Sequence, residues 1–132
     1  ALEVVGNDLG HLLADLAANP ASPLKMYEST LRDEKFNVFY NAPCAVFIAG
    51  SKAVRSLDVD CALTAAYLMF SATARGLGTC WVALGSQLRS PEILGEIGMA
   101  GDCRLVAPII VGYPAVIPRA SERHAPDIVK IV

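Results

Sequence analysis

Apolar residues recur at helical spacing from the start of the chain: Leu2, Val5, Leu9, Leu12, Leu13 and Leu16. Asn19-Pro20 ends the pattern, which predicts an amphipathic helix over residues 3–18 and a loop over 19–24. Residues 25–40 mix charged and aromatic positions and predict one or two short helices facing a surface, in a place suited to a lid. The run from Cys44 to Ala49, closed by Gly50, is apolar and rich in β-branched and aromatic residues, as in a buried strand. Ser56 or Asp58 can cap a long helix that reaches about Arg75 and stops at Gly76. That helix is apolar nearly all round, so it is expected to be buried on every side, at the centre and against a second subunit.

Gly76 to Val82 then reads as a tight turn into a short strand. Ser90-Pro91 opens a helix through about Ile97. Cys103 to Val111 is a strong strand stopped by Gly112-Tyr113-Pro114. A mid-strand proline lacks a ladder donor, so Pro108 predicts an edge position or a bulge. The tail from Pro118 to Pro126 reads as extended, with a last short strand from Asp127 to Val132. No repeat or second domain is visible over residues 1–132. The alternation of elements predicts an α+β, or α/β layered, single domain.

Composition sharpens this picture. The 132 residues are 54% hydrophobic and 18% charged, which excludes a disordered chain. Net charge is −2, and nowhere do more than two Lys or Arg residues adjoin, so no nucleic-acid partner is expected. A domain this small cannot hide so much apolar surface in one core, which points to a homo-oligomer. The uncharged helical run Cys61–Ala74 has 14 residues, short of a membrane span. Cys44, Cys61, Cys80 and Cys103 form no CxxC pair. A metal site is therefore not expected, and scattered thiols suit a reducing cytoplasm.

There is no GxSxG, HExxH or phosphate-loop motif. Gly76-Leu77-Gly78 stands alone and, read locally, is a helix stop and a turn. No side chain is singled out as catalytic.

Four features together resemble the nitroreductase family of flavoproteins. They are Asn41-Ala42-Pro43 before the first strand, the apolar helix carrying Asp60, the run Arg75-Gly76-Leu77-Gly78-Thr79-Cys80-Trp81, and Val106-Ala107-Pro108-Ile109-Ile110-Val111-Gly112-Tyr113-Pro114. The likeness extends from about residue 41 to 126. It implies a nitroreductase-like sheet whose long central helix lies at a homodimer interface, with FMN bound between subunits. It implies hydride transfer from NAD(P)H through flavin N5 to a small-molecule acceptor such as a nitroaromatic, quinone or enone.

By the same resemblance Gly76, Gly78, Thr79, Cys80, Trp81, Val82 and Ala83 lie along the flavin ring, where glycine admits close backbone approach. Cys80 and Trp81 read equally well as core. Arg123, or Arg119 in its place, would meet the FMN phosphate. Met26, Tyr27, Phe36, Phe39 and Tyr40 are candidates for a lid over the flavin or for the core. His11 and His124 are expected to play no part. Family members begin with an Arg-rich, phosphate-gripping segment, whereas no Arg precedes Arg32 here and Trp81 is the sole Trp. The expectation is a family member lacking that N-terminal segment. The alternative is a flavin-free relative that keeps the fold and the dimer for a binding or structural role.

Overall fold

The computed structural model describes residues 9–99 and 101–130. Seven elements carry the fold. They are α1 (Gly10–Ala18), α2 (Glu28–Leu31), β1 (Cys44–Ser51), α3 (Leu57–Thr73), β2 (Gly78–Trp81), α4 (Pro91–Glu96) and β3 (Cys103–Gly112). Short 3-10 turns at Pro23–Tyr27 and Ala83–Gln87 link them. The front of the helix expected over 3–18 lies outside the described residues. The three strands form one antiparallel sheet in the order β1-β3-β2.

Side-chain alternation along β3, switched in phase by an extra residue at Val106, gives the sheet two covered faces. On one face Ala107 and Ile109 pack on Ala65 of α3, with Ile48, Leu68, Met69 and Val111 around them. On the other, Leu105 joins Leu9, Leu12, Val38, Phe39, Val82, Leu84, Leu88 and Ile93. Phe39 is fully buried and meets Phe47 edge-on at 5.7 Å between ring centres. It therefore belongs to the core, and Phe36 packs against the same cluster, so neither acts as a lid. Met26, Tyr27 and Tyr40 are exposed.

For Pro108 the sequence left an edge position or a bulge open. It lies in the central strand, not at an edge. Two features accommodate it. Ile48 faces Ala107 and Ala49 faces Leu105, so Val106 is an extra residue and forms the bulge the sequence allowed for. The Val82 amide donates to the Pro108 carbonyl at 2.9 Å, one residue past the end of β2. Backbone N–H and C=O of one strand residue point the same way, so the missing donor of Pro108 faces a place where the partner strand has stopped.

The last predicted strand is corrected: residues 113–130 contain no helix or strand. Within the described chain, only one side of α3 is buried, through Leu57, Cys61, Ala65 and Ala72. Val59, Leu63, Tyr67 and Phe70 stand exposed at three- and four-residue spacing along its other side. Burial on every side is thus not achieved by the described residues alone. Among the described residues no helix is long and apolar enough to cross a membrane.

Helix ends follow local chemistry. Gly76, at φ +75°, ends α3 in the left-handed conformation that favours glycine. Its amide donates to the Thr73 carbonyl and that of Leu77 to the Ala72 carbonyl, both at 3.0 Å. This pair of bonds reverses the chain and delivers it directly into β2.

Candidate functional site

The turn from α3 into β2 opens on two adjoining clefts. The larger, of about 690 Å³, is walled by Met69, Phe70 and Thr73 of α3, by Gly76 to Thr79, and by Pro114, Ile117, Pro118 and Arg123 of the tail. The smaller, of about 220 Å³, runs past Ala42, Pro43, Cys80, Ile110 and Tyr113. Gly78, Thr79 and Pro114 line both. The larger volume lies within the range of small-molecule sites, roughly 300–1,000 Å³.

Two glycines face each other at this end of the sheet, Gly78 and Gly112. A Cβ on Gly78 would stand 3.2 Å from Cβ of Pro114, and one on Gly112 would stand 3.2 Å from Pro43. Both positions are bare backbone against which a proline packs, so a side chain at either would press on that proline.

Strand β2 is an edge strand. The bond from Val82 to Pro108 turns residue 82 inward, and antiparallel alternation then turns Cys80 and Gly78 inward as well. The backbone N–H and C=O groups of Thr79 and Trp81 consequently point out of the sheet. Such an edge is a row of fixed donors and acceptors for a flat polar partner. The Thr79 and Trp81 side chains lie on the α3 face of the sheet, since Thr79 opposes Val111 and Trp81 opposes Ile109.

The residues singled out from sequence divide accordingly. Gly76, Gly78, Thr79 and Arg123 are brought together around the larger cleft. Cys80 is exposed and joins Gly78 and Thr79 at the smaller one. Trp81 is exposed and lines neither cleft, whereas Val82 is core. Ala83 starts the turn that leads away. Arg119 is exposed in the tail and lines neither cleft. His11 and His124 line neither. The apolar wall of Met69, Phe70, Ile117 and Pro118 was not anticipated as part of a site. The exposed apolar side of α3 was its available signal.

The hydrogen bonds from Lys25 and then Arg32 hold the Glu28 carboxyl below its usual range, well away from the clefts. Burial, and next the Asp60 and Asp58 carboxylates, pushes the Cys61 thiol up. Neither group lines the clefts, whose polar side chains are those of Thr73, Thr79, Cys80, Tyr113 and Arg123.

The sequence model of the nitroreductase family matches residues 9–113, most of the chain. The chain belongs to the nitroreductase family. A comparison with curated proteins finds no match. Among solved structures, a nitroreductase with bound FMN from Bacteroides fragilis superimposes with a TM-score of 0.79 at 20% identity, covering 98% of this chain and 70% of that one. An FMN-dependent nitroreductase from Clostridium difficile gives 0.71 at 15% identity, with 98% and 73% covered. A nitroreductase with bound FMN from Desulfitobacterium hafniense gives 0.63 at 19%, with 95% and 67% covered. At these identities the likeness is one of fold. Against another Clostridium difficile FMN-dependent nitroreductase the chain spans about half, 52%, of that protein's length. The α+β nitroreductase fold is thus shared over nearly the whole chain.

Proposed function

We propose that this protein is an FMN-dependent oxidoreductase that passes a hydride from NAD(P)H to a small planar acceptor such as a nitroaromatic, quinone or enone. The carrying observation is the 690 Å³ cleft, where Gly76 and Gly78, an outward-facing β2 edge and Arg123 meet. Its parts suit the parts of FMN. The apolar walls of Met69, Phe70, Leu77 and Ile117 suit a flat ring and exclude water from it. Thr79 and Trp81 amides suit the polar edge of that ring, and Gly76 and Gly78 permit the approach. The Arg123 guanidinium suits the phosphate. FMN, when bound, supplies the redox chemistry by taking up and releasing a hydride. The chain's own contribution is to bind, orient and shield.

The exposed stripe of α3 completes the reading. Phe70 belongs both to that stripe and to the cleft wall. A second copy of this chain seated on Val59, Leu63, Tyr67 and Phe70 would bury the stripe and close the cleft's open side. Homodimerisation is therefore part of the proposal, in keeping with the excess of apolar surface for so small a domain.

A flavin-free dimer is the second reading, favoured by the single cation that lines the cleft. Supplying FMN and a nitroaromatic, then following NADH and NADPH oxidation under anaerobic conditions, separates the two. Turnover with either nicotinamide supports the oxidoreductase. Flavin binding without turnover would leave a flavoprotein that is not this enzyme, and no flavin binding at all would support the second reading.

A further inference from the structure

A third cleft, of about 420 Å³, lies on the flank of α3 that faces β1. Leu68, Ser71, Ala72 and Arg75 line it from the helix, at the three- and four-residue spacing of one helix face. Val46 of β1 and Val111 of β3 line it from the sheet. The large cleft lies between α3 and β2 instead, and the two share no lining residue. The volume again falls within the range of small-molecule sites, roughly 300–1,000 Å³.

The walls are apolar except for Ser71 and Arg75, and Arg75 is the one charged residue in the lining. Its Nη1 donates to the Ser71 carbonyl at 3.0 Å and to the Ser71 hydroxyl. Both partners are neutral, so the guanidinium is held in place with its charge uncancelled. Both bonds also leave from the same nitrogen. A guanidinium has five N–H donors, so its Nε–Nη2 edge is left unused among the described residues. Two parallel donors on such an edge match the two oxygens of a carboxylate. The stretches around the cleft, residues 44–51, 61–74 and 105–112, contain no Asp or Glu to compete for it. Among the described residues no ion pair involves Arg75.

We propose that this cleft binds a small monocarboxylate with an apolar body, a short-chain aliphatic or aryl acid, independently of the flavin reading. The carboxylate takes the Nε–Nη2 edge of Arg75, and the hydrocarbon lies over Val46, Leu68, Ala72 and Val111. Ser71 fixes the guanidinium beforehand, which lowers the ordering cost of binding. A phosphate dianion fits less well, because a single guanidinium leaves part of its charge unpaired.

The test is a titration of the full chain with hexanoate at constant ionic strength, followed by amide shifts in nitrogen–proton NMR spectra. The expected result is saturable shifts confined to Val46, Val111 and residues 68–75. Acetate, which lacks the apolar body, and hexanol, which lacks the charge, should each bind about tenfold more weakly or worse. Arg75→Gln should weaken hexanoate binding about tenfold or more. Ser71→Ala, which releases the guanidinium without removing it, should weaken it less, and Arg123→Gln, in the large cleft, should leave it unchanged. Thermal melts confirm that each variant is folded, and the comparison of the three probes on the parent protein needs no variant. Hexanol binding as tightly as hexanoate would overturn the proposal, as would a linear drift without saturation. So would hexanoate binding that survives Arg75→Gln in full, or a melt lowered by Arg75→Gln in a protein that binds no hexanoate, which would leave Arg75 serving only the end of α3.

Discussion

Replacing Gly78 with Ala adds one methyl group where the two clefts adjoin. Gly78 does not adopt a left-handed φ, so alanine meets no backbone penalty. The new Cβ would lie 3.2 Å from Cβ of Pro114 and 3.6 Å from the Gly112 carbonyl oxygen. That is tight, but Pro114 is exposed in the tail and can give by a few tenths of an ångström. Alanine in a strand gains about 0.5–1 kcal/mol over glycine, which offsets the crowding. Net stability should stay within about 1 kcal/mol of the parent, a shift in Tm of a few degrees. Flavin binding should respond far more. An inserted methyl in a filled, close-packed site costs about 1–3 kcal/mol, or roughly 5- to 150-fold in Kd. Fluorescence titration of FMN against both proteins, with thermal melts as the fold control, reads the difference. A folded variant that binds FMN as tightly as the parent would refute the claim that the ring lies against Gly78.

Other perturbations test other links. Arg123→Ala should weaken FMN binding by about 1.5–3 kcal/mol and leave riboflavin, which has no phosphate, unchanged; equal losses for both ligands would remove Arg123 from the phosphate. Tyr67→Glu on the exposed side of α3 should shift the protein toward monomer in sedimentation without altering its circular dichroism, and an unchanged oligomer would place the interface elsewhere. Gly85→Ala should destabilise by about 1–3 kcal/mol, because its Cβ would lie 2.8 Å from Cε1 of the buried Phe39 and 3.0 Å from Cγ of Pro108. Denaturant unfolding measures that loss, and an unchanged midpoint would show the core to be looser than described. Cys44 and Cys80 are exposed and should alkylate quickly, with Cys80 protected by FMN, while buried Cys61 should resist. Because burial raises the Cys61 thiol, the unfolded chain loses that proton first as pH climbs. Stability should therefore fall above the ordinary thiol range, and Cys61→Ala should reduce that alkaline loss in urea titrations.

Much of the fold was legible because its signals are local. The strands at Cys44 and Cys103, the cap at Ser90 and the stop at Gly76 each depend on a few neighbouring residues. In the structure the Ser90 hydroxyl accepts from the Ile93 amide, and Gly76 adopts its left-handed turn. What was misread depends on partners distant in sequence. Nothing near Pro108 reveals that β2 ends at Trp81 and frees a central strand from needing that amide donor. A helix apolar on all sides does not disclose which side its own sheet covers and which side is left for another molecule. Phe39 and Met26 look alike in a mixed segment, yet the first is core and the second exposed. The resemblance identified the turn at Gly76–Thr79. The apolar walls became visible only when α3 and the tail were placed beside it.

The central claim is that this chain holds FMN in the cleft between α3, β2 and the tail. The most direct measurement is the visible absorption spectrum of the purified protein after incubation with FMN and gel filtration. The account predicts a flavin band that elutes with the protein in stoichiometric amount and is lost in proportion in Arg123→Ala. Flavin eluting wholly with the small molecules, from a protein whose melt shows it folded, would contradict it.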